Sequence, residues 1–243
     1  MFKPFWLAVQ FLTRFPTPHY DEISDKEMGA SISWFPIVGL LIGVILAFVG
    51  QTTQWLPAQV SAGLLLAVWV WSTGALHLDG LADTADGWLA GSGDHQRALQ
   101  VMKDSRIGTG GGVALVLVLL MKWSALVVII EHQAWFLLLF APVVARVASI
   151  VLMRVTQYVS EKGIAAGMFL HLNSDSIWLW FSLLTAAVVW LNPLLLVALI
   201  LVWFWMRWVM IRITGGMTGD TAGAMTEVIE LVWLMGIVAM LIN

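Results

Sequence analysis

Three aspartates with helical spacing are the residues of this sequence best placed to do chemistry. Asp79, Asp83 and Asp86 occur in the segment His77-Leu-Asp-Gly-Leu-Ala-Asp-Thr-Ala-Asp-Gly-Trp88, at positions i, i+4 and i+7, so on a helix they share one face. The segment follows the apolar run Val60 to Leu76, which places three like charges at the mouth of a membrane segment, where they repel one another. A bound divalent cation removes that repulsion, and carboxylate oxygens suit Mg²⁺ or Mn²⁺. The pattern predicts a metal site with these three aspartates as ligands.

The alternative for this acidic face is a helix end whose carboxylates meet only water. Gly80 and Gly87 count against that interpretation. Both lower helix stability, and both allow a close approach of backbone or ligand.

A second segment combines cations with glycines: Lys103-Asp-Ser-Arg-Ile-Gly-Thr-Gly-Gly-Gly112. It precedes an apolar run, so its backbone N–H groups would lie at a helix N-terminus. Such N–H groups, together with the charges of Lys103 and Arg106, make a phosphate cradle at Gly108 and Gly110. The alternative is a flexible loop with ordinary membrane-flanking charges. The nearby acidic face favours phosphate binding.

The third segment is Gly215-Gly-Met-Thr-Gly-Asp-Thr-Ala-Gly223, followed by Glu227 and Glu230. Asp220 either adds a metal ligand or caps the last helix, and the pattern leaves both open. It could share a helix face with Glu227 and Glu230, at i, i+7 and i+10. For Glu230 a solvated position is expected.

The composition is that of a membrane protein. The chain has 243 residues, of which 60% are hydrophobic and only 11% charged, and this is too apolar for a soluble domain of that length. There is no cysteine, which excludes disulfides and thiolate metal sites. A net charge of -3 argues against nucleic-acid binding, and 15 tryptophans suit the two interfacial belts of a bilayer protein.

These observations predict an all-α, polytopic membrane bundle that forms a single domain over residues 1–243. About seven spans are expected, each near the length that a bilayer requires. Their predicted ranges are Ile32–Gly50, Val60–Leu78, Gly112–Ile130, Trp135–Met153, Ile177–Leu191, Pro193–Ile211 and Met225–Ile242. Residues Pro4 to Phe15 are expected to form a short amphipathic helix at the membrane interface.

The distribution of charge predicts an orientation. If the seven predicted spans cross the membrane in turn, the segments on one side of it carry nine cations: Lys3, Arg14, Lys26, Arg97, Lys103, Arg106, Arg154, Lys162 and Arg212. The loops on the opposite side carry no Lys or Arg, so the N-terminus is expected in the cytoplasm and the C-terminus outside. The long loops Asp79–Gly111, Arg154–Ser176 and Thr214–Ala224 then gather on the cytoplasmic side.

Three cations, Lys122, Arg146 and Arg207, fall inside predicted spans. A charge at membrane depth usually faces the bundle or a cavity. Arg146 is the most central, and we expect it to have a buried partner.

The three segments together resemble the cobalamin synthase family, the adenosylcobinamide-GDP ribazoletransferases of vitamin B12 assembly. The resemblance includes the N-terminal Phe11-Leu-Thr-Arg-Phe-Pro16 and runs in the same order to the last helix. It implies a multi-pass enzyme of the bacterial inner membrane, dependent on Mg²⁺, with its active site on the cytoplasmic side. Such an enzyme joins α-ribazole, or its 5′-phosphate, to adenosylcobinamide-GDP and releases GMP. Thr218 matches the family's Gly-Gly-x-Thr-Gly-Asp segment and is expected to bind substrate.

The acidic face also resembles, more distantly, the CDP-alcohol phosphotransferases, which hold two metals on several helical aspartates. Their arginine soon after the Asp-Gly step is missing here, so the number of metal ions stays open. A different CDP-alcohol-phosphotransferase-like membrane enzyme is therefore an alternative.

For the implied reaction we expect the following roles. A metal held by Asp79, Asp83, Asp86 and Asp220 stabilises the departing GMP, while Lys103 and Arg106 bind phosphate. Asp83 is a catalytic candidate, and Asp86 or Asp104 is expected to accept the proton of the ribazole hydroxyl.

Two other classes of protein remain as rivals. A cation-coupled transporter would use the acidic face to bind its driving ion, and a structural membrane anchor would tolerate its neutralisation. Membrane lipid and a second copy of the chain, in a homo-oligomer, are the remaining candidate partners.

Overall fold

The computed structural model describes residues 3–91, 93–159, 171 and 174–243, and regular structure in these residues is helical. One isolated parallel bridge, between Tyr158 and Met217, is the exception there. The helices are α1 (Lys3–Leu12), α2 (Asp25–Ser31), α3 (Phe35–Thr52), α4 (Ala58–Thr73), α5 (Leu76–Gly91), α6 (His95–Val101), α7 (Thr109–Glu131), α8 (Ala141–Val155), α9 (Ser174–Leu191), α10 (Pro193–Thr214) and α11 (Gly219–Leu241). Short 3₁₀ turns at Ile32–Trp34 and Trp135–Leu139 lead into α3 and α8.

The all-α membrane bundle is confirmed, but a count of seven spans is not. The stretches long and apolar enough to cross a membrane are Asp25–Thr52, Thr109–Glu131, Trp135–Val155, Pro193–Thr214 and Gly219–Leu241. Helices α4 and α5 pass the same test only as a bent pair, which would make a sixth span, and Asp175–Leu191 is apolar but shorter. The described part of the chain therefore holds five spans, or six with the bent pair.

The second predicted span, Val60–Leu78, is broken, and its prediction as one helix is wrong. Helix α4 ends at Thr73, and the next two residues, Gly74 (φ 61°) and Ala75 (φ 60°), adopt the left-handed conformation. Their N–H groups satisfy the last carbonyls of α4, as at many helix C-termini. Helix α5 then leaves at 87° to α4. The residues of the turn, Ser72 to Ala75, carry no charge and have apolar neighbours on both sides, so hydropathy alone did not reveal the turn.

Helix α5 lies across the first turns of α7 and α11. A Cβ atom on Gly80 would lie 2.6 Å from the backbone oxygen of Asp220, and one on Gly111 would lie 2.9 Å from the backbone oxygen of Ala82. Glycine is therefore required where these backbones meet. The crossing places α5 at one end of the bundle, outside the five spans, with the N-termini of two long helices directed at it.

The two ends of the chain are also placed more definitely than the sequence predicted. Helix α1 spans Lys3–Leu12, so it ends three residues before the predicted Phe15, and it buries one face on the bundle. Its position at a membrane interface stays a prediction. Helix α11 begins at Gly219, six residues before the predicted Met225, so Asp220 lies in its first turn. The predicted loop Arg154–Ser176 falls largely outside the described residues.

Candidate active site

Three of the four predicted metal ligands come together where α5 meets α11. Asp79 is exposed, while Asp83 and Asp220 are half-buried. Asp83 lies close enough to Asp220, Asp79 and Asp86 for their negative charges to repel its own. Burial first, and these charges second, raise the pKa of the Asp83 carboxyl to about 7.

The chemistry of this group fits a hard divalent cation, although the side chains do not yet converge on one. Within the described ranges, no three His, Asp or Glu side chains are arranged so as to hold a metal ion. Asp79, Asp83 and Asp220 nevertheless offer only oxygen donors, and their mutual repulsion is what a cation relieves. Magnesium binding by these residues stays a prediction.

Asp86 has a different environment from the other acids of α5. Its two carboxylate oxygens accept hydrogen bonds from the backbone N–H groups of Gly108 (2.7 Å) and Gly111 (2.9 Å). Gly108 is the N-cap residue of α7 and has no side chain to cap the helix, so Asp86 supplies the cap from α5. With both oxygens engaged, this geometry gives Asp86 a structural role and does not support the predicted roles of metal ligand or base.

The glycines of the predicted phosphate cradle are explained by the same contact. A Cβ atom on Gly108 would overlap the Asp86 carboxylate, and one on Gly110 would lie 3.2 Å from an Asp86 carboxylate oxygen and from the Ala85 backbone oxygen. Two of the first-turn N–H groups of α7 already donate to Asp86. The structure thus gives these amides a protein partner, and phosphate binding at Gly108 and Gly110 has no separate support.

The basic part of that loop is exposed. Arg106 pairs with Asp104, at 2.7 Å between Nη2 and Oδ2, and Lys103 is exposed beside them. Hydrogen bonds from the Arg106 side chain and backbone lower the pKa of the Asp104 carboxyl to about 2. A carboxylate held so firmly in its charged form is a weak base, which counts against Asp104 as the proton acceptor.

Thr218 acts as the N-cap of α11. Its hydroxyl accepts a hydrogen bond from the Thr221 N–H (3.2 Å), and the Thr221 hydroxyl accepts one from the Thr218 N–H (2.8 Å). The preceding Met217 is held by the bridge to Tyr158. This capping box, together with the bridge, fixes the turn that presents Asp220 to α5; a substrate contact by Thr218 stays a prediction.

A buried ionic network lies deeper in the bundle, and the sequence pointed to only part of it. The Lys122 ammonium on α7 donates to Glu227 (2.6 Å) and to Glu230 (2.6 Å) on α11. Arg146 on α8 pairs with the other oxygen of Glu230. The expectation that Glu230 is solvated is wrong, because its side chain is buried between two cations. The sequence signal was that charged residues of both signs lie inside apolar stretches. It did not separate Lys122 and Arg146, which join the network, from Arg207, which contacts Thr156 and Val155 instead.

A cavity of about 140 Å³ connects the acidic residues with this network. Its wall includes Asp79 and Asp220, and also His77, Arg146 and Ser149. We call it the Arg146 cavity. Polar groups from three helices, α5, α8 and α11, thus meet in one enclosed space at the end of the bundle where the acids lie.

Comparison with known proteins supports the resemblance over nearly the whole chain. The model of the cobalamin-5-phosphate synthase family matches residues 4–238. A protein of Pseudomonas entomophila named adenosylcobinamide-GDP ribazoletransferase is 45% identical over 98% of this chain and 99% of its own length. Proteins of the same name from Pseudomonas putida (43%, with 96% of this chain and 98% of the relative covered) and Acinetobacter baumannii (40%, with 94% of each) are also similar. No solved structure matches. The chain belongs to the cobalamin-5-phosphate synthase family.

Proposed function

We propose that the chain is an adenosylcobinamide-GDP ribazoletransferase that performs a late step of cobalamin biosynthesis. It transfers the adenosylcobinamide phosphate moiety from adenosylcobinamide-GDP to α-ribazole or its 5′-phosphate. The observation that carries the proposal is the match to relatives of that name over nearly their whole length. The site geometry agrees with it, since α5 and α11 bring acidic side chains together at one end of the bundle.

The reaction is a substitution at phosphorus. The ribazole hydroxyl oxygen forms a bond to the phosphorus atom attached to adenosylcobinamide, and the bond from that phosphorus to the bridging oxygen breaks. GMP leaves with the bridging oxygen, and the hydroxyl proton passes to a base. The protein has to align the two oxygens and offset the negative charge of the diphosphate.

Asp79, Asp83 and Asp220 are the residues that would hold Mg²⁺ in this scheme. The ion, when bound, offsets negative charge on the phosphate oxygens and on the departing GMP. Asp86 is left out of the ligand set because both of its oxygens cap α7. The exposed Lys103 and Arg106 would bind the negatively charged diphosphate. For this, Arg106 would leave its ion pair with Asp104 and pair with the substrate instead.

Asp83 is also the best candidate for the base. In the absence of an ion its pKa is about 7, and an ion held by the same carboxylate would lower that pKa. The assignment therefore rests on the place of Asp83 among the acids of the site, and on its two oxygens, which would allow it both to hold the ion and to accept the hydroxyl proton. The remaining alternatives, Asp86 and Asp104, are occupied by α7 and by Arg106. By the positive-inside rule, this site would face the cytoplasm at the inner membrane.

The test is release of GMP by purified protein in lipid, measured with and without Mg²⁺. We expect release only when both substrates and Mg²⁺ are present, and almost none from Asp79→Asn. Asp21→Asn is the matched control, because Asp21 is an exposed acid in the segment between α1 and α2. Full activity of Asp79→Asn would contradict the acidic site. Ion uptake into liposomes without GMP release would instead favour the transporter.

A further inference from the structure

The guanidinium of Arg146 is buried, yet half of it has no partner. Its side chain is 1% exposed. Nη1 donates to Glu230 and, at 3.5 Å, to the Pro142 carbonyl. Among the residues that the structure describes, nothing accepts a hydrogen bond from Nε or Nη2. A buried donor without an acceptor is costly, so these two atoms call for a partner that the chain itself does not supply.

The free part of Arg146 has the shape of a specific binding site. The Nε–H and one Nη2–H lie on the same edge of the guanidinium and point in parallel, which matches two oxygens of a phosphate. The residue lines the Arg146 cavity together with His77, whose Nδ1 is also buried without a partner among the described residues. The cavity holds about 140 Å³, which is enough for a phosphate-sized group.

The two cations and two acids around Arg146 balance in formal charge, so an anion there would be held by hydrogen bonds from the free N–H groups of Arg146. One carboxylate, that of Glu230, is shared between Arg146 and Lys122, and Lys122 has Glu227 as a second acid. The contact from Nη1 to Glu230 already joins α8 to α11. The uncommitted edge is therefore not explained by a structural role.

We propose that the free edge of Arg146 binds one phosphate group of a substrate at the inner end of the cavity. The identity of that substrate rests on the proposed function, which offers two sources: the diphosphate of the nucleotide-activated donor and the 5′-phosphate of the acceptor. In either case the phosphate reaches Arg146 past Asp79 and Asp220, which line the same cavity. Asp79 and Asp220 are also two of the acids that would hold the cation in the proposed reaction.

The direct test is binding of inorganic phosphate and inorganic diphosphate to the purified protein in nanodiscs with Mg²⁺. Arg146→Lys keeps the positive charge for Glu230 but removes the paired N–H edge. We expect binding at least tenfold weaker. The matched control is Arg207→Lys, because Arg207 also lies in a membrane helix but donates to Thr156 (2.9 Å) and Val155 (3.2 Å) outside the cavity. Equal binding by wild type and Arg146→Lys would overturn the proposal.

A second variant covers the case in which Arg146→Lys fails to fold, as judged by thermal unfolding. Ser149→Val leaves Arg146 in place, replaces the hydroxyl that hydrogen-bonds to Thr226 with a methyl group, and adds a second methyl group at the wall of the cavity. Weaker binding of either anion by this variant supports the site, and unchanged binding contradicts it.

Steady-state kinetics distinguish the two sources. If Arg146 holds the acceptor's phosphate, Arg146→Lys raises the KM for ribazole 5′-phosphate and leaves that for ribazole unchanged. If it holds the donor's diphosphate, the KM for the donor rises with either acceptor. Unchanged KM values for both substrates would overturn the proposal. Arg146-dependent diphosphate binding in a protein that releases no GMP would reject the proposed function while keeping this site.

Discussion

Asp83 and Asp86 are three residues apart on α5, yet their carboxyl groups meet opposite kinds of partner. Asp86 faces two N–H donors at the start of α7, which stabilise its negative charge. Asp83 faces three other acids, which destabilise its charge. The first arrangement holds helices together, and the second favours binding of a cation or a proton.

Magnesium binding should be linked to release of a proton from Asp83. With a pKa of about 7, Asp83 is partly protonated at neutral pH in the metal-free protein, and an ion that binds the carboxylate displaces that proton. The Mg²⁺ affinity should therefore rise with pH between roughly 6 and 8 and level off above it. Titration calorimetry in buffers of different ionisation enthalpy measures the proton release.

In that experiment Asp83→Asn should lose the proton release. Asp94→Asn is the control, because Asp94 is exposed and caps the separate helix α6. An Mg²⁺ affinity that does not change across this pH range would contradict the linkage.

Asp86→Ala should lower the free energy of unfolding by about 2–3 kcal/mol, because it leaves two first-turn N–H groups of α7 without a charged acceptor. Asp94→Ala removes a cap of the same kind from an exposed helix, where the expected loss is about 1 kcal/mol. Denaturant unfolding in mixed micelles compares the two. Equal losses would mean that the Asp86 contact is no stronger than a surface cap.

At the scale of elements, the site depends on the close crossing of α5 and α11. The crossing is possible because Gly80 on α5 has no side chain where it meets the backbone of Asp220. Gly223, one turn further along α11, packs near the backbone of His77 in the same way. The contacts of Gly80 with Asp220 and of Gly223 with His77 hold α5 and α11 together beside the Arg146 cavity.

Gly80→Ala should separate α5 from α11 and reduce GMP release at least tenfold. The added methyl would lie 2.6 Å from backbone, which cannot rotate away, and overpacking of this kind typically costs about 1–3 kcal/mol. Gly63→Ala on α4 is the control, because the nearest atom to its Cβ is 4.0 Å away. Wild-type activity of Gly80→Ala would show that the acids need no close crossing.

At the scale of the whole molecule, the described residues form five or six spans, and the side of the membrane on which each terminus lies is to be measured. The positive-inside rule predicts that α6 and the C-terminus lie on opposite sides of the membrane. Cysteine is absent from the chain, so a single cysteine introduced at Gln96 or at Asn243 would be the only thiol that a reagent can label. An impermeant thiol reagent added outside intact cells should label only the cysteine at Asn243. Labelling of both from one side would refute the predicted orientation.

The buried network of Lys122, Arg146, Glu227 and Glu230 is the other feature of the whole molecule. It joins α7, α8 and α11, which are far apart in sequence. Such a network disfavours other packings of these helices, because any shift would leave a charge unpaired in an apolar surrounding.

The amino-acid sequence alone is enough to predict the class of protein and to identify the candidate site residues. Its long apolar stretches indicated a helical membrane bundle, because a helix of that length satisfies its own backbone hydrogen bonds in lipid. The three polar segments identified the family, and the spacing of Asp79, Asp83 and Asp86 correctly placed all three on one helix. These features depend on composition and on neighbours within a few residues.

Only the tertiary structure decided what each of those residues faces. Periodicity puts Asp83 and Asp86 on the same helix, but the bend at Gly74 sets α5 across two helix ends, so that Asp86 meets α7 while Asp83 meets Asp220. The partners of Glu230 come from α7 and α8, more than 80 residues away. A sequence pattern defines the face of one element, whereas the groups opposite that face come from distant parts of the chain, and they alone decide whether a carboxylate caps a helix, pairs with a cation or stays available for a ligand.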